Sequence, residues 1–68
     1  MGASRFVHLD VEEILRETEA AFLVELENGE QHWLPKSQIA DSEQYEAGDV
    51  NCTVSITEWI AQEKGLGE

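Results

Sequence analysis

Hydrophobic and polar positions alternate most cleanly near the C-terminus, in "VNCTVSI" (residues 50–56). Val50, Cys52, Val54 and Ile56 fall on one side and Asn51, Thr53 and Ser55 on the other, which is the period of a half-buried strand. A second alternating region, "AAFLVELENGEQHWL" (residues 20–34), is interrupted by Asn28-Gly29. Asn-Gly supplies the two positive-φ positions of a tight hairpin. A two-residue loop there predicts Glu27 opposite Glu30, Glu25 opposite His32 and Leu23 opposite Leu34. Leu26 then meets Gln31 and Val24 meets Trp33, so that Phe22, Val24, Leu26 and Trp33 share the core face.

The remaining segments are read around that hairpin. "FVHLDVEEILR" (residues 6–16) suits a strand with a bend or bulge near Glu12 and Glu13. The near-helical spacing of Val11, Ile14, Leu15, Thr18 and Phe22 supports a helix over residues 11–19 as the alternative. Pro35 cannot donate to a ladder and ends its strand. "KSQI" after it predicts one tight helical turn, with Ile39 returning to the core. In "ADSEQYEAGD" Tyr45 is the expected anchor, and Gly48-Asp49 turns the chain into the last strand. Thr57 is an N-cap candidate for "EWIAQEKG", Gly65 the stop, and Trp59, Ile60 and Leu66 the contacts with the sheet. A helix this short holds only by packing.

Together these elements predict a mainly β fold, a small partly open barrel of the SH3-like or OB-like kind. It has four or five strands and a short C-terminal helix. A small α+β arrangement is the alternative. With 68 residues the chain makes a single domain, residues 1–5 being expected to be flexible. Its core is small, since about 60% of the extended surface is buried at this size.

Searching for chemistry narrows the function classes. One cysteine and two histidines cannot build a four-ligand zinc site or an internal disulfide. Cys52 lies on the apolar side of its strand and reads as a small buried hydrophobe. Neither His8 nor His32 has an evident nucleophile to activate, and no glycine-rich phosphate loop or calcium-loop pattern is present. The expectation is a non-enzyme with no catalytic residue, no metal and no cofactor. A lone cysteine suits a reducing compartment. No signal-peptide pattern opens the chain, and the longest apolar run, Ala20 to Val24, cannot span a bilayer. A cytoplasmic location follows as the expectation.

Charge changes the picture most. Fifteen acids against four bases give a formal charge of −11, beyond the magnitude of about 2–8 usual for a small domain. Such a field repels nucleic acid and anionic membranes and favours cationic partners. The candidate interaction surface is Glu17, Glu19, Glu25, Glu27, Glu30, Asp41, Glu43, Glu46 and Asp49. Its expected partner is a basic protein or complex, met by carboxylates placed where a duplex carries phosphates, one charge per about 1.7 Å of axis. The alternative is a nucleic-acid-binding module with Arg5, Arg16 and Lys36 as a local basic patch beside an aromatic platform. A third reading is an accessory domain whose acidity only serves solubility. Lys36 stands out as a base in acidic surroundings without an assigned role.

The run "ETEAAFLVELENGEQHWLPKSQI" with the later "TEWIAQEKGL" resembles a group of short, poorly characterised bacterial and phage proteins. In that group a Trp-Leu-Pro-Lys-Ser stretch follows an acidic hairpin, and a tryptophan-bearing helix ends the chain. The matching residues are Trp33 to Ser37 and Glu58 to Leu66, within a likeness that runs from Glu17 onward. The resemblance implies a small β-rich accessory protein of phage type. In that context the acidic reading becomes an anti-defence inhibitor, acting on a host nuclease or CRISPR complex.

Overall fold

The computed structural model of the chain describes residues 5–66. Four strands form one antiparallel sheet in the order β3-β2-β1-β4: β1 is Phe6–Glu17, β2 Ala21–Glu25, β3 Gln31–Pro35 and β4 Val50–Thr57. A seven-residue helix, α1 (Glu58–Lys64), follows β4 directly. The fold is mainly β with a short C-terminal helix. The sheet does not close into a barrel, although the chain leaving β3 crosses to the far edge of β4. There Ile39 bridges Ile56, and the Ala40 N–H donates to the Ser55 carbonyl at 2.9 Å.

Residues 11–17 are strand, which overturns the helical alternative. The near-helical spacing has a different origin. Leu9 and Val11 face inward in the first half of β1 and Ile14 in the second, so the period of two breaks across Glu12 and Glu13. The register with β2 then slips between Ile14 and Arg16, leaving Leu15 as a bulge. A bulge bends its strand and increases its twist, which lets one long strand serve both halves of the sheet.

The hairpin between β2 and β3 departs from the expected register by one residue. Its loop is Glu27-Asn28-Gly29: the Leu26 N–H donates to the Glu30 carbonyl at 2.8 Å and the Gly29 N–H to the Leu26 carbonyl at 2.9 Å. Gly29 alone in this loop has a positive φ, +89°, and the Asn28 side chain accepts the Glu30 N–H at 2.9 Å. This is a three-residue loop with a glycine bulge, not the two-residue turn. The pairs are therefore Phe22 with Leu34, Leu23 with Trp33, Val24 with His32 and Glu25 with Gln31. A slip of one residue exchanges the faces of a strand. Leu34 is buried completely (0% exposed), and Trp33, expected in the core, stands on the outer face at 43% exposure.

Two further inward assignments are corrected. Asn51 adopts a left-handed φ of +52°, which breaks the alternation of β4: Val54 and Ile56 are buried and Cys52 is half-buried, but Val50 turns outward at 57% exposure. In α1 the buried residues are Ile60 and Ala61, while Trp59 is 60% exposed. The helix ends behave as their residues dictate. Thr57 Oγ1 accepts the Ile60 N–H, and Gly65 closes the helix at φ +70°, satisfying groups that helix ends leave unpaired. The core is Leu9, Val11, Ile14, Phe22, Val24, Leu26, Leu34, Ile39, Val54, Ile56, Ile60 and Ala61, with Tyr45 and Leu66 packed against it. Tyr45 also anchors its loop by donating its hydroxyl to the Thr53 carbonyl at 3.1 Å. The expected flexibility of residues 1–5 lies outside the described residues except at Arg5, whose carbonyl accepts the Glu58 N–H at 2.8 Å.

Candidate functional site

Sheet register decides which charged groups meet. On the outer face, Glu13, Glu25 and Gln31 form one cross-strand row, which Val50 extends on β4. Arg16, Leu23 and Trp33 form the row beside it. Glu25 thus faces Glu13 and Gln31 instead of His32, and the directly opposed carboxylates cost a few tenths of a kcal/mol. His32 lies with its Nε2 3.1 Å from Glu30 Oε1. The expected opposition of Glu27 to Glu30 does not occur, because Glu27 belongs to the three-residue loop.

The nine sequence-derived acids do not share one place: Asp41 follows Ala40, which is bonded to the outer edge of β4, and Asp49 lies beside Ile14. Glu25, Glu27 and Glu30 belong to the hairpin end. Strand β1 adds two acids that sequence reasoning missed: Asp10 and Glu12 line a shallow depression of about 210 Å³ together with Glu27 of the hairpin loop, Val11, Asn51, Cys52 and Thr53. The signal that could have found them was the bend of β1, which brings Glu12 toward the loop. Asp10 accepts a hydrogen bond from Thr53 Oγ1 at 3.1 Å, while Glu12 and Glu27 are exposed. At the other end, Glu17 and Glu19 flank the β1–β2 turn, while residues 48–49 bond to Ile14, the partner of Val24, which sets Asp49 beside the middle of the sheet and not at that turn. The Asp49 carboxylate accepts the Glu46 N–H at 3.0 Å, which gives it a local structural role. Asp41 takes a left-handed φ of +54° at the entry to the turn that contains Glu43.

Lys36 now has a structural explanation. Its Nζ donates to Glu17 Oε2 at 2.7 Å and lies 4.8 Å from the centre of the Phe22 ring. The stem of the side chain covers the end of the core while its ammonium meets a carboxylate and an aromatic face. That hydrogen bond holds the Glu17 carboxyl below its ordinary range; burial opposes it, and the charge of Lys36 and the Ala47 N–H add to it. Burial and the nearby charge of Asp49 push the Cys52 thiol upward, which keeps it protonated and a poor nucleophile at neutral pH.

The three bases of the alternative patch do not converge. Arg5 precedes β1 and Arg16 lies near its end, roughly 36 Å away along the strand at about 3.3 Å per residue. Lys36 is engaged by Glu17. Arg16 alone shares the outer face with exposed Trp33. Among the described residues no group of three potential metal ligands is assembled, and no helix is long and apolar enough to cross a membrane. No family model, curated protein or solved structure matches this chain.

Proposed function

We propose that the chain is a small non-enzymatic interaction domain, built as a partly open barrel of the SH3-like or OB-like kind, that holds a cationic protein partner through its carboxylates. One observation carries this reading. Asp10, Glu12 and Glu27 converge on one depression at the hairpin end, next to Glu25 and Glu30, and no base is among the residues lining it. A net charge of −11 adds a long-range field that steers a basic partner toward this end. Such a surface competes with a nucleic-acid backbone for the partner's Lys and Arg side chains. Inhibition of a basic nucleic-acid-processing protein, in the manner of a phage anti-defence factor, is the finer form of the proposal.

The nucleic-acid-binding alternative has one observation in its favour, the exposed Trp33 in a row with Arg16. A stacking platform needs a basic groove beside it, and here the neighbouring row carries Glu13 and Glu25.

The test compares an arginine- and lysine-rich peptide with a single-stranded DNA oligonucleotide as immobilised probes at graded salt. Retention on the peptide, weakening as salt rises and lost when Glu25, Glu27 and Glu30 become Gln, is the expected result. Retention on DNA, lost in Arg16→Ala, overturns it. Retention on neither leaves the acidity as a solubility device and also refutes the proposal. For the finer form, the wild-type chain displaces duplex DNA from a basic DNA-binding protein and the triple Gln variant does not.

A further inference from the structure

The two edges of the sheet are treated differently. On β4 the outer edge is engaged: the Ser55 carbonyl accepts from the Ala40 N–H, the Thr53 carbonyl from the Tyr45 hydroxyl, and Ile39 bridges Ile56. On β3 the only paired neighbour among the described residues is β2. The backbone bonds fix which groups of β3 remain open. Glu30 accepts from Leu26 at one end of the hairpin ladder, and Lys36 donates to Ala20 at the other. In an antiparallel pair alternate residues point their backbone groups to the partner strand, so His32 and Leu34 also face β2. Gln31 and Trp33 direct their N–H and C=O groups outward, where no described residue meets them. Pro35 has no N–H and limits the open edge to these two donors.

We infer that the edge of β3 receives an extended, cationic segment of a partner protein as an added strand. This deepens the acidic-surface reading above and rests on it for the charge of the partner. An added strand gains main-chain hydrogen bonds from the edge and selectivity from alternate side chains. Each outer-face row would be lengthened by one residue. Beside Gln31 the row already contains Glu13 and Glu25, with exposed Glu30 adjacent in the chain, and this position takes Lys or Arg. Beside Trp33 the half-exposed indole and Leu23 offer an apolar surface, and this position takes an aliphatic or aromatic residue. The recognised pattern is a basic residue and an apolar residue two positions apart. A second copy of this chain meets the same edge with the wrong charge, −11 against −11.

The experiment uses the full chain, uniformly labelled with nitrogen-15, and an octapeptide repeating Lys-Thr-Val-Thr. Amide hydrogen exchange is followed with and without peptide. At a peptide concentration about ten times Kd, exchange of the Gln31 and Trp33 amides, fast in the free chain, slows about tenfold, while the His32 and Leu34 amides, already bonded to β2, are slow with and without peptide. Two N-methylated peptides, blocked on alternate amides, then differ: one set abolishes binding and the other does not. Binding that leaves the Gln31 and Trp33 amides unprotected, or that responds equally to both methylation sets, overturns the edge assignment while the acidic-surface reading stands. Protection of those amides without peptide, in a sample that sediments as a dimer, assigns the edge to a second copy and also overturns it. Failure of every cationic peptide to bind at low salt removes both proposals.

Discussion

Exchanging the inward and outward roles of Trp33 and Leu34 is the most testable consequence of the hairpin register. Leu34 is fully buried opposite Phe22, whereas Trp33 is 43% exposed opposite Leu23. Leu34→Ala removes buried methyl groups and leaves a cavity in a packed core, a loss of about 2–5 kcal/mol. Trp33→Thr removes a larger side chain, but one already in contact with water, and leaves a β-branched residue on a strand. Its cost is about 1 kcal/mol. A chain of 68 residues has a total stability of about 3–10 kcal/mol at 0.05–0.15 kcal/mol per residue, so the leucine change removes a large share. At about 4–8 °C per kcal/mol for a domain of this size, a loss near 3 kcal/mol lowers Tm by about 12–24 °C. The tryptophan change lowers it by less than half of that. The assay is thermal and urea unfolding followed by far-ultraviolet circular dichroism, with stability read from the midpoint of the cooperative transition and not from signal amplitude. A larger loss for Trp33→Thr than for Leu34→Ala would refute the three-residue loop and restore the two-residue register. In the native protein, both tryptophans are quenched by acrylamide, since Trp59 is exposed as well.

Other consequences concern the turn, the helix cap and the ion pair. Gly29→Ala meets no atom within 4 Å but must adopt φ +89°, so it costs about 1–2 kcal/mol by conformation alone, measured by urea unfolding. Thr57→Ala deletes the acceptor of the Ile60 N–H and the hydroxyl bonded to Gln38 Oε1 at 2.6 Å. A loss of about 1 kcal/mol is expected from the cap, and Thr57→Ser restores most of it. Glu17 has a depressed carboxyl in the folded state, so the unfolded chain binds more protons in the acid range. The stabilisation is therefore present above the ordinary glutamate value and is lost as pH falls through the folded one. The stability difference between wild type and Glu17→Gln accordingly narrows in acid. A difference that stays constant from neutral pH to pH 3 would exclude Lys36 as the cause.

The strand patterns, the helix boundaries and the excess of carboxylates were legible in the sequence because each rests on local chemistry. Residues 52–56 alternate as a strand, Thr57 and Gly65 bound a helix by capping, and Ile39 returns to the core after a turn announced by Pro35. The acidity is visible by counting. What failed to show locally was phase. Asn28-Gly29 serves a two-residue loop and a three-residue loop with a glycine bulge, and no local rule chooses between them. The choice belongs to the packing of the whole sheet, in which Leu34 is completely buried. It places Leu34 on Phe22 and leaves the amphipathic indole of Trp33 at the surface. Asn51 and Leu15 make the same point, since a left-handed residue and a bulge each break alternation where the sheet bends. The Lys36–Glu17 pair joins residues nineteen positions apart, and Asp10 and Glu12 reach Glu27 only across the folded sheet. Sequence determined which groups were available, while tertiary structure decided which of them share a face, because a one-residue change of register inverts every side chain that follows it.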